Sequence, residues 1–127
     1  MSRELILFAS AARIVTATSA QFRQVGPDKY RGIWLFLDVT AAAGTTPTLD
    51  VIVQRFDPAS DGFIAIPGAV FSQETGVATA ELTIYPTMTA AANVIVKEHI
   101  GEVFRAVATI AGTTPSFTFS LGGQFLA

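Results

Sequence analysis

An all-β fold, an antiparallel β-sandwich of about seven or eight strands with jelly-roll or Greek-key connections, is what this sequence predicts. Three observations carry that prediction. Apolar and polar residues alternate with a period of two through most of the chain, Val, Ile, Thr and Phe fill the alternating runs, and Gly, Pro, Asp and Thr cluster between them. The length, 127 residues, suits one domain spanning residues 1–127.

The first apolar run, residues 5–12, follows a basic residue and precedes small ones, which superficially mimics a signal peptide. Glu4 in the supposed basic region, the shortness of the run and Arg13 directly after it argue instead for a buried strand or docking arm. The lead-in continues to Val25, interrupted by Gln21, Arg23 and Gln24, so residues 1–25 are expected to act as an assembly arm that pairs with a neighbour's sheet edge. No apolar run reaches the 18 or so residues that span a bilayer, and the product is expected to be soluble.

Residues 32–40 form the clearest strand: Ile33, Leu35, Leu37 and Val39 share one face, and Trp34, Phe36 and Asp38 share the other. Residues 48–56 alternate Leu49, Val51 and Val53 against Asp50, Ile52 and Gln54, a half-buried strand. Ala43-Gly44-Thr45-Thr46-Pro47 lies between them and is expected to close a hairpin. Asp57-Pro58-Ala59-Ser60-Asp61-Gly62 is a second turn, leading into Phe63-Ile64-Ala65-Ile66. Its two aspartates offer hard oxygen ligands for calcium, but without an EF-hand pattern turn chemistry is the better reading.

Ala78, Ala80, Leu82 and Ile84 alternate with Thr79, Glu81, Thr83 and Tyr85 in a strand that Pro86 ends. A long connection follows to Glu102, with an Ala run that allows a short helical turn capped by Thr89 and a crossover of the kind Greek keys need. Residues 103–110 and 116–126 read as two more strands, separated by Ala111-Gly112-Thr113-Thr114-Pro115, which repeats the earlier pentapeptide. The repeat is either pseudo-symmetry or reuse of a good turn, and the sequence does not decide between them. Gly122-Gly123 inside the last run suggests a bulge.

Composition narrows the function. Half of the residues are apolar and 14% are charged, with net charge −2, no cysteine and one histidine. Disulfides, thiol chemistry and Cys-ligated zinc are excluded, and a lone imidazole gives neither a two-histidine metal site nor a histidine relay. His99 reads as part of a solvated turn. Asp38, Asp50, Glu81 and Glu102 read as salt-bridge partners for Arg55 or Arg105, and Arg105 is expected to meet a carboxylate or emerge at an edge. No phosphate-cradling loop, cofactor site or basic patch for nucleic acid is found. Trp34, Tyr30 and Tyr85 are the residues a sugar platform would use. A lightly charged, half-apolar domain this small exposes apolar surface unless it assembles, so assembly without catalysis is the expected role.

Residues 31–41, Arg31-Gly32-Ile33-Trp34-Leu35-Phe36-Leu37-Asp38-Val39-Thr40-Ala41, followed by Thr48-Leu49-Asp50-Val51, resemble small structural proteins of tailed bacteriophages. Gln54-Arg55-Phe56-Asp57-Pro58, Tyr85-Pro86, Thr89-Ala90-Ala91-Ala92-Asn93 and Phe117-Thr118-Phe119-Ser120-Leu121-Gly122 follow in the same order, so the resemblance runs from Leu5 to Leu126. The doubled pentapeptide and the Phe-rich strands depart from the family pattern. The resemblance implies a virion component without a catalytic motif.

The expectation is a capsid decoration (cement) protein, made in the host cytoplasm and placed on the capsid surface. It would bind the major capsid protein as a homo-oligomer, with trimers suiting the shell junctions, and need no cofactor, nucleic acid or membrane. Interface residues expected from apolarity and position are Leu5, Ile6, Leu7, Phe8, Trp34, Tyr85 and Met88. Alternatives are a tail or neck component and a carbohydrate-binding host-recognition module.

Overall fold

A computed structural model describes residues 3–24 and 29–127. The expected assembly arm therefore lies partly outside the described residues, at Met1, Ser2 and Val25. Eight strands follow one another: β1 (Glu4–Arg13), β2 (Ala17–Thr18), β3 (Phe22–Arg23), β4 (Gly32–Asp57), β5 (Gly62–Val70), β6 (Ala78–Ile84), β7 (Ile95–Val96) and β8 (Val103–Leu126). The fold is all-β, and the strands belong to one hydrogen-bonded sheet. Every ladder is antiparallel except β6 with β7, which is parallel, so the sheet is mixed where a purely antiparallel one was expected.

β4 and β8 organise the sheet. They run antiparallel along their whole lengths, from Gly32 opposite Leu126 to Arg55 opposite Phe104. Neither is broken by its Ala-Gly-Thr-Thr-Pro pentapeptide, which corrects the expectation of two hairpins. The pentapeptides lie across from each other instead, Ala43 opposite Ser116 and Thr45 opposite Thr113, and the register shifts there. Gly44 and Gly112 take φ of 110° and 122°, and Thr46 and Thr114 both take φ of 46°. The turn chemistry is spent on bending a strand that continues, not on reversing it.

The bends fold the sheet over. Phe104 and Phe125 stand at the two ends of β8, about 70 Å apart were the strand straight, yet their rings are 5.9 Å apart. Phe22 and Tyr30 join them, at 5.3 Å each from the Phe125 ring. Between the facing halves lies the core. Ile33, Leu35, Leu37 and Val39, then Leu49, Val51 and Val53, line it from β4, as alternation predicts. Phe104, Ala106, Ala108, Phe117, Phe119 and Leu121 line it from β8.

An approximate two-fold axis passes between the pentapeptides. A Cβ on Gly44 would lie 2.7 Å from the Thr114 carbonyl oxygen, and one on Gly112 would lie 2.8 Å from that of Thr46. Apart from the parallel ladder of β7 on β6, the outer ladders match across the axis. β5 flanks the second half of β4 as β1 flanks the second half of β8, while β6 flanks the first half of β4 as β2 and β3 flank that of β8. The repeated pentapeptide is therefore pseudo-symmetry, with β1 to β4 and β5 to β8 as the two related units.

The Asp57 turn forms as expected. Asp57 pairs with Gly62, its carboxylate accepts hydrogen bonds from the Ala59 amide at 3.0 Å and the Ser60 hydroxyl at 2.9 Å, and Asp61 takes φ of 55°. Those bonds engage both Asp57 carboxylate oxygens. Among the described residues the connection after β6 contains no helix, and its Ala run is limited to one tight turn in which the Val94 and Ile95 N–H groups both donate to the Ala91 carbonyl at 3.0 and 2.8 Å, without the Thr89 cap that was expected. Ala91 bridges to Ile95, and Ile95 and Val96 extend as β7 beside Thr83 and Ile84, the β-branched pair preferring a strand to a helix.

Candidate interaction surfaces

The residues singled out for assembly divide sharply on burial. Leu5, Leu7 and Phe8 are buried, whereas Ile6 is 75% exposed. The cause is local. β1 pairs with β8, and one residue is inserted between Ile6, opposite Gly122, and Phe8, opposite Leu121, so Leu7 and Phe8 both turn inward. This bulge is the irregularity expected near Gly122-Gly123, carried by β1 instead of β8. Phe8 then meets Phe119 edge-on at 5.4 Å. Arg13 lies over both rings, 4.9 and 4.6 Å from their centres, and donates to the carbonyls of Ala9, Ala11 and Phe119 at 2.8, 3.2 and 3.1 Å. Residues 4–13 are thus a strand of the chain's own sheet, with Ile6 and the groove beside it, lined by Ala9, Ser10 and Ser120, left outside.

Trp34 and Tyr85 are half-buried and held by different neighbours. The Trp34 indole N–H donates to Glu81 at 2.9 Å, with the Phe36 ring 6.1 Å away. Tyr85 accepts a hydrogen bond from Arg31 at 2.8 Å and donates one to the Ala127 carbonyl. Tyr30 stacks on Phe125 in the interior. Met88 is exposed in the loop after β6. The three rings considered for a sugar platform therefore face three separate sets of partners.

The polar groups hold the fold together. Arg55 spans from β4 to the crossover, pairing with Glu98 at 3.0 Å and donating to the His99 carbonyl at 3.0 Å. Glu102 pairs with Arg23 and Lys29 at 3.5 and 3.3 Å, and Asp50 accepts from Gln73 at 3.0 Å. Arg105 makes no salt bridge among the described residues: it donates to Gln54 at 2.8 Å and lies 4.0 Å over the Phe63 ring, because the register of β4 with β8 places Gln54 directly opposite it. Asp50, Glu81 and Glu102 thus meet Gln73, Trp34 and the Arg23–Lys29 pair, in place of the salt bridges with Arg55 or Arg105 that were expected of them. His99 is exposed beside Lys97, as a solvated turn requires.

No family model, curated protein or solved structure matches this chain.

The bent end of the sheet carries a surface that sequence reasoning missed. Ala41, Ala43, Gly44, Thr45 and Thr46, and residues 111–114 opposite them, are exposed. On one side of this end the connection from β1 to β2 presents Ile14 and Val15, each 66% exposed, and on the other the approach to β6 presents Val77, 72% exposed. The two corners correspond under the two-fold axis: residues 14–16 cross the bend of β8, and residues 71–77 cross the bend of β4. Across residues 9–16, 40–47, 71–79 and 111–116 the charged side chains are Arg13 and Glu74. The signal was present as a stretch of sequence with little charge, but branched residues next to turns read equally well as strand ends.

Proposed function

We propose that this chain is a non-enzymatic structural protein of a tailed-bacteriophage virion, a capsid decoration protein that binds the major capsid protein and stabilises the head. The observation that carries this reading is apolar surface on a well-packed domain. Ile6, Ile14, Val15, Ile64, Val77 and Val94 are all at least 48% exposed while the interior is filled by the Phe, Leu, Ile and Val of every long strand. Surface of this kind is stabilised by being covered. The resemblance of residues 31–41 and the segments after them to phage structural proteins points the same way. By bridging adjacent capsid subunits, each copy would add small buried contacts that expansion of the shell must break together.

Adding purified protein to shells that lack it tests the proposal, with occupancy and position read by electron microscopy and copy number by sedimentation. Stoichiometric binding over the shell, with a raised threshold for thermal or osmotic rupture, is the expected result. Failure to bind, with rings or tubes formed by the protein alone, would transfer it to the tail or neck and discard the stabilising role.

A further inference from the structure

We infer that the outer face of the sheet around Trp34 and Phe36 binds a neutral polysaccharide chain. Ile33, Leu35, Leu37 and Val39 fill the core, so Trp34, Phe36 and Asp38 stand on the opposite face of β4, each half-buried. The register gives their neighbours on that face: Gln124, Gly122 and Ser120 lie opposite them on β8, and Glu81 lies opposite Phe36 on β6. Glu81 accepts the Trp34 indole N–H at 2.9 Å, which orients the indole, and the Phe36 ring follows 6.1 Å away on the same strand. Gly122 adds no side chain beside Phe36 on β8. Two rings in succession offer apolar surface to the C–H faces of two linked sugar residues. Tyr30 and Tyr85 take no part in this platform.

The polar groups around the rings select the ligand. The side chains of Asp38, Ser120 and Gln124 make no hydrogen bond or ion pair with another described residue, and Glu81 engages the indole through one carboxylate oxygen, leaving the other for a ligand. Unspent acceptors and unspent donors thus lie together beside aromatic surface, the pairing that small polar ligands use for orientation. A sugar hydroxyl both donates and accepts, and so answers the carboxylates, the Ser120 hydroxyl and the Gln124 amide alike. An ammonium or guanidinium group only donates, and would use the carboxylates alone. Residues 32–40, 78–84 and 116–126 carry Asp38 and Glu81 and no Lys, Arg or His, so an acidic ligand is repelled. A purely apolar partner would strip water from both carboxylates and return nothing. This inference stands apart from the virion role: it draws on none of the exposed aliphatic residues that carry that reading, and shell binding can succeed or fail without it.

Trp34 is the chain's only tryptophan, so its fluorescence reports on this face directly. The full chain is titrated with mono- to tetrasaccharides of glucose, galactose, mannose and N-acetylglucosamine, with oligogalacturonate and a peptide rich in lysine and arginine as competing chemistries. The expected result is a saturable change in emission with at least one neutral series, with a dissociation constant of about 0.1–1 mM for the tetrasaccharide and at least about tenfold weaker binding of its monosaccharide. Phe36→Ala and Asp38→Ala should each raise the constant at least about tenfold. Ile64→Ser, on β5 beside the other half of β4, should leave it unchanged. Thermal unfolding checks that each variant folds, and Asp38→Ala, which removes no ring, carries the test if Phe36→Ala does not. No response to any neutral sugar up to about 10 mM overturns the inference, as does binding indifferent to the Phe36 and Asp38 substitutions or equally tight for monosaccharide and tetrasaccharide. Tighter binding of oligogalacturonate or of the basic peptide also overturns it, giving the face to an anion or to a protein partner.

Discussion

At the scale of single residues, Gln24 shows how a polar side chain is built into an apolar interior. It is 1% exposed, and its amide group accepts from the Tyr30 N–H at 2.6 Å while donating to the carbonyls of Tyr30 at 3.1 Å and Gly101 at 2.8 Å. It thereby ties the segment before β4 to the segment before β8. Gln24→Leu keeps the volume and removes all three partners, leaving a buried N–H and two carbonyls unanswered. A loss of about 2–3 kcal/mol in urea unfolding is expected, and a change below about 0.5 kcal/mol would show that water reaches these groups. Gln24 reads in sequence as an interruption of the lead-in, because nothing local reveals the backbone groups it serves. Leu5, Ile6, Leu7 and Phe8 read in sequence as one apolar run, and the structure turns Leu5, Leu7 and Phe8 inward and leaves Ile6 outside. That division was not legible, since a bulge depends on the partner strand and the period of two breaks where the residue is inserted.

At the scale of elements, strand faces were legible and strand connections were not. Ile33, Leu35, Leu37 and Val39 alternate inward as read, and so do Leu49, Val51 and Val53. The pentapeptides were misread because positive φ at glycine and a proline before a new apolar run serve a hairpin and a sharp bend equally well. Only the partner distinguishes the two, and here each bend is partnered by the other. The two-residue strands β2, β3 and β7 owe their form to pairing and leave no periodic trace. Thr46 and Thr114 supply a test of equivalence. Both are β-branched in the left-handed region, a conformation that costs about 1–2 kcal/mol and that Asn tolerates better. Thr46→Asn and Thr114→Asn should each raise stability by about 1 kcal/mol, by the same amount within error, in chemical denaturation. A gain at one site with a loss at the other would mean that the bends carry different strain.

At the scale of the whole molecule, the two-fold arrangement implies that the cut in the chain can be moved. Relating the unit of β1 to β4 to the unit of β5 to β8 sets the Asp57 turn, which joins β4 to β5, in correspondence with the gap between the end of β8 and the start of β1. Those ends are adjacent: Glu4 lies opposite Gln124, and the Phe125 N–H donates to the Arg3 carbonyl at 2.7 Å. A circular permutant in which a short glycine–serine linker leads from Leu126 to Glu4, with new ends between Ala59 and Ser60, should keep every ladder of the sheet. The exposed turn it opens severs the Ser60 hydrogen bond to Asp57 and loosens that of the Ala59 amide, so a loss of about 1–2 kcal/mol is expected. Far-ultraviolet circular dichroism should be unchanged and unfolding should remain a single cooperative transition. Moving the cut to the bend, between Thr45 and Thr46, should instead prevent folding, because β4 would no longer carry the pairing from one half of the sheet to the other. If both permutants folded equally well, the continuity of β4 through its pentapeptide would not be what holds the two halves in register. The facing cores would then suffice alone.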